Sequence, residues 1–473
     1  MKDIYNPETF REQGYKIIDI LTDYLEKATS GDIEEVLPPI TPDEMLTKWS
    51  GEFPQKPTHN TEDIIKKVIG LSNHLHSPRY IGHQVSAPLP NAILSTLASS
   101  LLNNGCTIYE MGPAGTIIEK RIIQWMAKLI GYDDTSDGFL TSGGTLGNLT
   151  ALLAARQAKA GYDIWSEGTK EDNKLAFLVS AQTHYCAKRA IQIMGLGEKA
   201  VVSVETDENY RMTIPAIQEA YNSAVKSGRK VIALVANAGS TATGSHDPLE
   251  EIADFCQKHD LWLHIDGAHG ASALVSEKYR SLLKGIEHAD SVVWDAHKMM
   301  LMPALITAVI FKNGKNSYEA FSQKASYLFE KEAREEWYNL AQRTMECTKG
   351  MMGLKLYVSL MTYGTEFFDD YITRMYDLTK KFADMIKNSP DFELAVEPQS
   401  NIICFRYLHK DSSDIKKEIL TKGSFYLVQT KLKDETYLRC TIINPLTTEQ
   451  TLLDLMQEIR SLQIFSTASP SFV

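Results

Sequence analysis

The middle of the chain alternates between short apolar runs and helical patterns, and this alternation restricts the fold more than any other feature. The runs are Gly138–Thr141, Leu175–Ala181, Ala200–Glu205, Val231–Ala236, Leu261–Asp266, Ser291–Asp295 and Ala304–Lys312. Helical stretches such as Asp247–Lys258 and Glu277–Glu287 separate most of them. Apolar runs of about four to eight residues between helices are typical of βαβ units, whose sheet is buried on both faces. The sequence therefore predicts an α/β fold with a seven-stranded, mostly parallel sheet.

Two flanking regions have different patterns and complete a three-part prediction of the domains. Residues 1–85 contain two helical patterns joined by a proline-rich segment, LPPITPDEM, which is too little to enclose a core. We expect this region to be an N-terminal arm that packs on another surface, for instance that of a second subunit. Residues 351–473 show a long amphipathic helix, two strand-like segments and a closing helix, typical of a small α+β domain. Residues 86–350 then form the large α/β domain.

Charge and cysteine content exclude several classes of partner and environment. The chain has 49 basic and 60 acidic residues and a net charge of −11, which argues against nucleic acid or an anionic membrane as a partner. Its six cysteines contain no CxxC pair, so neither a disulfide framework nor a zinc site is expected. The N-terminus does not resemble a signal peptide, and the most apolar stretch, Met299–Phe311, is shorter than the roughly 18 residues that span a bilayer. We therefore expect a cytoplasmic protein without a bound metal.

Polar residues follow the strands at their carboxyl ends, which is the edge where ligands bind in α/β sheets. The first strand leads through Ser142-Gly143-Gly144-Thr145 into a helical segment. Glycines let a backbone approach a ligand closely, and the free N–H groups of a helix N-terminus favour an anion. The segment lacks the GxxxxGK[ST] pattern of a P-loop, and on its own it fits a simple strand-to-helix turn equally well.

Three further strand ends carry residues that are suited to chemistry. His184 follows the second run, Asp266 ends the fifth, and Lys298 comes shortly after the sixth. Each one alone can be a satisfied polar residue or half of a buried ion pair. Together they provide what pyridoxal 5′-phosphate (PLP) requires, since PLP needs an anion cradle for its phosphate, a carboxylate for its pyridine nitrogen and an amine for its aldehyde. A carboxylate beside that nitrogen favours the protonated form, which makes the ring an electron sink.

Six segments in a fixed order resemble those of the group II PLP-dependent amino-acid decarboxylases, which include enzymes for glutamate, cysteine sulfinate, aromatic amino acids, histidine and diaminobutyrate. They are SPRYIGHQ at 77–84, TSGGTLGN at 141–148, THY at 183–185, HIDGAHG at 264–270, DAHK at 295–298 and YLRCTIINP at 437–445. The resemblance covers nearly the whole chain. It implies a type I PLP-dependent (aspartate aminotransferase-like) fold, PLP as the cofactor, and a homodimer with its active site at the subunit interface and an N-terminal arm that wraps the partner.

The resemblance also implies roles for single residues around the cofactor. Lys298 matches the lysine that binds the cofactor aldehyde, Asp266 the partner of the pyridinium nitrogen, and Ala268 the small residue against the ring. His184 matches the histidine that stacks on the other face of the ring. The remaining implied contacts are the phosphate-binding residues Gly144, Thr145 and His297, the adjacent Gly143 and Asn148, Asp295 of the DAHK segment, and Thr241 near the ring hydroxyl.

Two residues match groups that act on the substrate. Tyr338 lies in ASYLFEKEAREEWYN, which resembles the mobile catalytic loop of glutamate decarboxylases, and its phenol would return a proton to the substrate α-carbon. Arg439 matches the arginine that holds the substrate carboxylate. Departures from the family pattern leave the required groups in place: Asp295-Ala296 stands where many relatives have Asn-Pro, and Gly267 and His269 replace Ala and Tyr. The implied reaction is α-decarboxylation of an L-amino acid to the amine and carbon dioxide.

The substrate side chain in relatives contacts the segment after Pro78, which here includes His83, Gln84 and Ser86. If buried, such polar groups cost about 1–3 kcal/mol each against an apolar ligand, which favours a polar substrate. We therefore expect an acidic substrate such as glutamate, aspartate or cysteine sulfinate. Diaminobutyrate or an aromatic amino acid remains an alternative, as does an aminotransferase, a lyase or a decarboxylating oxidase on the same fold. A catalytically silent interaction protein is disfavoured, because Lys298 and Asp266 are both present.

Overall fold

The computed structural model describes residues 2–58, 60–321 and 336–462. By its internal packing the chain forms two compact units. The larger unit comprises Gln84–Lys380 and Val396–Ile403, and the smaller one comprises Met1–His83, Lys381–Ala395 and Cys404–Val473. The division predicted from the sequence, at 1–85, 86–350 and 351–473, stays a prediction about domains.

The α-helices of the described residues lie in both units. They are α1 Pro7–Ser30, α2 Pro42–Lys48, α3 Thr61–Gly70, α4 Pro90–Leu102, α5 Pro113–Ile130, α6 Gly144–Lys159, α7 Ile164–Glu167, α8 Tyr185–Ile193, α9 Ile214–Lys226, α10 Leu249–Lys258, α11 Gly353–Lys387, α12 Ser412–Lys422 and α13 Glu449–Ser461. None of these helices is long and apolar enough to cross a membrane. Gly364, with a φ of 74°, interrupts α11, whose residues up to Lys380 belong to the larger unit.

The larger unit is built on a seven-stranded sheet with the order β1-β7-β6-β5-β4-β2-β3. The strands are β1 Asp137–Thr141, β2 Leu175–Ser180, β3 Val201–Val204, β4 Lys230–Asn237, β5 Trp262–Asp266, β6 Ser291–Asp295 and β7 Thr307–Phe311. The pairs from β6 to β3 are parallel, whereas β7 runs antiparallel to both β1 and β6. The seven-stranded, mostly parallel sheet that the sequence predicts is confirmed.

The strands of this sheet are apolar along most of their length, so the sheet is buried on both faces. Every residue of β2, β5, β6 and β7 is buried. A core layer joins the buried alanine and leucine side chains of α6 to Phe177, Trp262 and Phe311 of the sheet. The polar residues at the strand ends are therefore positioned by strands that are packed in the core.

The two helices predicted between strands have different outcomes. The helix predicted at Asp247–Lys258 is confirmed as α10. The helix predicted at Glu277–Glu287 is wrong, since this stretch contains the short 3₁₀ turns Arg280–Leu283 and Ile286–His288. Gly285 separates the two turns with a φ of 95°, and it approaches the backbone of Glu250 so closely that a Cβ would not fit.

The C-terminal part of the chain forms a second sheet, with the order β10-β11-β9-β8. Its strands are β8 Phe392–Leu394, β9 Ile402–Tyr407, β10 Val428–Leu432 and β11 Glu435–Thr441. Within the smaller unit, the amide of Ile81 donates to the carbonyl of Tyr426 (3.0 Å), and the amide of Thr441 donates to the carbonyl of Ile81 (2.7 Å). The predicted C-terminal α+β region is confirmed, and the predicted arm packs against it through its last residues.

Candidate active site

The ends of β1 and β6 lie on either side of the first residue of β7. Thr307 is the register partner of both Thr141 and Asp295, and its hydroxyl donates to Asp295 Oδ1 (2.5 Å). Just after β1, a Cβ placed on Gly144 would lie only 3.2 Å from Asp295 Oδ2. Gly144 begins α6, and Gly143 before it has a φ of 142°. The glycine turn, with the free N–H groups of the α6 N-terminus, therefore borders the Asp295 carboxylate directly.

Lys298 is paired with this same carboxylate. Its Nζ lies 2.9 Å from Asp295 Oδ2, and its backbone N–H donates to the Asp295 carbonyl (3.3 Å) in the turn after β6. The neighbouring His297 has Nε2 3.6 Å from Asp295 Oδ2 and Nδ1 2.9 Å from the carbonyl oxygen of Ile306. The turn thus fixes an amine and an imidazole beside the glycine turn, as the sequence predicted for the DAHK segment.

Asp266 is buried at the end of β5 and is the second carboxylate of this edge. It accepts hydrogen bonds from the backbone N–H of Ala268 (3.2 Å) and from Asn148 Nδ2 (3.3 Å). Burial raises the pKa of Asp266, although the charge of Lys298 and the Ala268 N–H both act to lower it. A nearby cation favours the ionised form of this carboxylate, and a pyridinium nitrogen is such a cation.

His184 lies at the N-terminus of α8, where its Nδ1 accepts from the backbone N–H of Cys186 (3.4 Å). Burial lowers the pKa of His184, and the charges of Asp266, Lys298 and Asp295 all act on it. The imidazole therefore favours its neutral form and lies within electrostatic reach of all three charged groups. The predicted set of His184, Asp266 and Lys298 is brought together at one edge of the sheet.

The other predicted cofactor contacts occupy varied positions in the larger unit. Thr145 is exposed in the first turn of α6, and Ala268 is buried two residues after Asp266. Thr241 is exposed in the turn that follows β4. Asn148 is buried, and its Nδ2 donates to the carbonyl of Gly144 (2.9 Å) and to Asp266 Oδ2 (3.3 Å).

Tyr338 is held in the larger unit by packing and by its neighbour in sequence. Its ring meets that of Tyr109 edge to face, with centroids 5.3 Å apart. Asn339 Oδ1 accepts a hydrogen bond from the backbone N–H of Tyr109 (3.0 Å). Residues 325–335 of the predicted catalytic loop lie outside the described residues.

The segment after Tyr338 is anchored by buried ion pairs that the sequence analysis missed. Arg343 Nη1 lies 2.8 Å from Asp137 Oδ2, and Lys349 Nζ lies 2.5 Å from Glu119 Oε1. Glu119 also accepts from the backbone N–H of Leu140 in β1 (2.8 Å). The sequence did contain a signal for this pair. Glu119 falls at the spacing of the apolar residues of α5, and a carboxylate buried there is costly without a partner.

The residues predicted to select the substrate divide between the two units. In the smaller unit, Arg439 is buried in β11 and its Nη1 donates to the carbonyl of Gly82 (3.4 Å), while His83 is exposed. In the larger unit, the hydroxyl of Ser86 donates to the carbonyl of His297 (3.3 Å). The sequence argument applied to polar groups that are buried without a partner. His83 is exposed and Ser86 is already bonded, so neither meets that condition here. Gln84 Nε2 is buried and has no hydrogen-bond partner among the described residues.

The edge of the larger sheet fits PLP. It presents an amine at Lys298, a buried carboxylate at Asp266 and a glycine turn that leads into α6. The hydroxyl of Thr183, next to His184, is buried and has no partner within the described part of the chain. These are the groups that the aldehyde, the pyridine nitrogen and the phosphate of PLP require.

Comparisons with known proteins point in the same direction. A family model described as the pyridoxal-dependent decarboxylase conserved domain matches residues 42–408. An aromatic-L-amino-acid decarboxylase from Bacillus atrophaeus is 29% identical over 469 residues, which cover 96% of this chain and 95% of that protein. The acidic amino acid decarboxylase GADL1 of Homo sapiens is 29% identical over 485 residues, which cover 96% and 92%. The crystal structure of mouse CSAD has the same fold, with a TM-score of 0.90 at 24% identity over 96% of this chain and 99% of that one.

Proposed function

The chain belongs to the pyridoxal-dependent decarboxylase family, and we propose that it decarboxylates an L-amino acid whose side chain is acidic. It is an amino-acid decarboxylase that uses PLP. The proposed substrate class rests on Gln84. Its buried Nε2 lacks a partner among the described residues, and Ser86, two positions later, bonds the residue before Lys298. A buried donor left unsatisfied costs about 1–3 kcal/mol, and the oxygens of glutamate, aspartate or cysteine sulfinate would satisfy it.

Each charged group at the sheet edge then has one task. PLP, when bound, supplies an electron sink for the pair released at the substrate α-carbon. Lys298 would hold the cofactor through its amine, and Asp266 would accept a hydrogen bond from the protonated pyridine nitrogen. The N–H groups after Gly143 would bind the phosphate, together with Gly144, Thr145 and His297. His184 would cover one face of the ring and exclude water from it.

Two further residues act on the substrate in this proposal. Arg439 binds the α-carboxylate, since a buried guanidinium offers several fixed donors to one carboxylate. The hydroxyl of Tyr338 delivers a proton to the α-carbon after carbon dioxide has left. General acids in such positions contribute about 10²- to 10⁴-fold to the rate.

A homodimer and a cytoplasmic location complete the proposal. Leu94, Leu97 and Leu101 form one face of α4 and are 54%, 52% and 68% exposed in the single chain. An apolar stripe of this kind favours burial against a second copy. The cytoplasm is favoured by the six cysteines, all of which are free thiols.

A substrate panel tests the proposed specificity. Carbon dioxide release is measured with glutamate, aspartate, cysteine sulfinate, diaminobutyrate and tyrosine, alone and in competition. We expect the highest kcat/KM with one of the three acidic substrates. Gln84→Glu should raise KM for that substrate by about tenfold or more, because a carboxylate repels it, whereas Gln84→Asn should have a smaller effect. A clear preference for tyrosine or diaminobutyrate in the parent enzyme would refute the acidic assignment.

A further inference from the structure

Behind Asp266, four polar side chains of the larger unit form a continuous hydrogen-bonded chain. The indole N–H of Trp262 donates to Ser291 Oγ (2.9 Å), and that oxygen lies 2.9 Å from His264 Nδ1. His264 Nε2 lies 2.7 Å from Asn148 Oδ1, and Asn148 Nδ2 donates to Asp266 Oδ2 (3.3 Å). The chain ends on the carboxylate proposed to bind the pyridine nitrogen.

The sheet geometry explains why these groups meet. Trp262, His264 and Asp266 are alternate residues of β5, so their side chains lie on one face of the strand. His264 and Ser291 are register partners in the parallel pair of β5 and β6. Asn148 is buried in α6, which packs on the same strands. His264 and Ser291 are fully buried, so each polar atom must find its partner inside the protein.

Only one arrangement of hydrogens satisfies every member. Asn148 Nδ2 also donates to the carbonyl of Gly144 (2.9 Å), so the amide oxygen must be the atom that faces His264. A carbonyl oxygen only accepts, and His264 Nε2 therefore carries the hydrogen. Burial lowers the pKa of His264 to about 3, so the ring is neutral near pH 7 and its Nδ1 accepts from the Ser291 hydroxyl. Donation thus runs in one direction along the chain and ends at Asp266.

We propose that His264 is a positioning residue, which holds the Asn148 carboxamide with its NH₂ group toward Asp266 and so presents the carboxylate to PLP as an ionised acceptor. This inference rests on the proposed role of Asp266. With the imidazole removed, Asn148 Oδ1 would lose its donor, and the orientation of the carboxamide would depend on the contacts of Nδ2 alone, which include the carbonyl of Gly144 and Cys186 Sγ. In the turned-over form the amide oxygen would face the carboxylate, and the pair of acceptors would disfavour the ionised form.

The test compares His264→Phe, which keeps a ring of similar volume, with His264→Gln, whose amide can still donate to Asn148. PLP affinity is measured by absorbance titration of the apoprotein, together with the spectrum of the bound cofactor and the thermal midpoint of the apoprotein. We expect about 10- to 100-fold weaker PLP binding and an altered spectrum for His264→Phe. His264→Gln should recover most of the PLP affinity and of the parental spectrum. Its apoprotein should nevertheless be no more stable than that of His264→Phe.

Three further variants separate the possible outcomes. His246→Phe removes another buried imidazole, which is not part of the hydrogen-bonded series behind Asp266, and should leave PLP affinity unchanged. Ser291→Ala removes the donor to His264 Nδ1 and should weaken PLP binding less than His264→Phe, which keeps the idea testable if the latter variant does not fold. Asp266→Asn tests the carboxylate itself. If Asp266→Asn weakens PLP binding but His264→Phe and Ser291→Ala do not, the positioning role is refuted alone. If Asp266→Asn also binds PLP normally, the proposed role of Asp266 fails.

Discussion

The ring of Tyr338 packs edge to face against that of Tyr109, with centroids 5.3 Å apart. Such aromatic pairs contribute about 0.5–1.5 kcal/mol beyond the area they bury. The contact is made by the ring, whereas the hydroxyl is the group that we propose acts on the substrate. Substitutions can therefore test the placement of the Tyr338 ring and the role of its hydroxyl separately.

Tyr338→Phe should keep the contact with Tyr109 and remove the proton that we assign to the α-carbon. Amine formation should fall by about 100-fold or more, while PLP affinity and substrate KM change little. The products, including any aldehyde, are quantified by chromatography after single-turnover reactions. Tyr109→Leu is the matched variant, since it loosens the ring but spares the hydroxyl, and it should lower kcat less. Amine formation at the parental rate by Tyr338→Phe would move the role to another residue.

Lys349→Met should destabilise the enzyme strongly, because it leaves Glu119 buried without its cation. The two side chains are 2% and 3% exposed, and breaking a pair of this kind costs about 3–5 kcal/mol. The double variant Glu119→Leu with Lys349→Met should recover much of the loss, since a buried ion pair replaced by apolar groups is often neutral. Thermal unfolding of the apoprotein measures both.

The solvent-exposed pair of Lys381 and Glu449 provides the control for this experiment. Lys381→Met removes the same charge from a pair whose side chains are 61% and 49% exposed. The thermal unfolding midpoint should therefore change little. If Lys349→Met and Lys381→Met lowered the thermal midpoint equally, the anchoring role of the buried pair would be contradicted.

His246 should make the fold sensitive to acid. Burial lowers its pKa to about 4, from about 6.5 in an unfolded chain. As the pH falls from 7 to 5, the unfolded state binds a proton that the folded state does not, so the free energy of unfolding decreases by about 2 kcal/mol. His246→Phe should therefore lose less stability than the parent over this range. His288→Gln, at an exposed histidine, should behave as the parent does in thermal scans at pH 7 and 5.

Leu97→Glu should weaken the proposed homodimer, because it places a charge in the apolar stripe of α4. Obligate dimers often have no stable folded monomer, so PLP content should fall along with the sedimentation coefficient. Removal of residues 1–85 should have the same effect. A monomeric variant that retains PLP and full activity would contradict the proposed assembly.

The strands and the residues at their ends could be predicted because burial on both faces leaves nearly continuous apolar runs, and the carboxyl edge of such a sheet collects polar groups. The direction of β7 and the place of β1 beside it could not, since local periodicity does not identify a strand's partner. His264 was part of a recognised segment, but its partners Asn148 and Ser291 lie 116 and 27 positions away. Ser86 was misjudged for the same reason, because its acceptor is the carbonyl of His297, 211 positions along the chain.

The position of β7 between β1 and β6 has a consequence for how the protein is made. β1 is an edge strand whose neighbour is β7, and the aligned residues Thr141 and Thr307 are separated by 166 positions. During synthesis the glycine turn after β1 therefore emerges long before the strand that fixes it beside Asp295. Contacts of such long range form late, because the loop entropy is lost before the contact is gained. A nascent chain that ends before β7 cannot assemble the phosphate cradle next to Lys298, so capture of the cofactor follows completion of the sheet and then stabilises it by mass action.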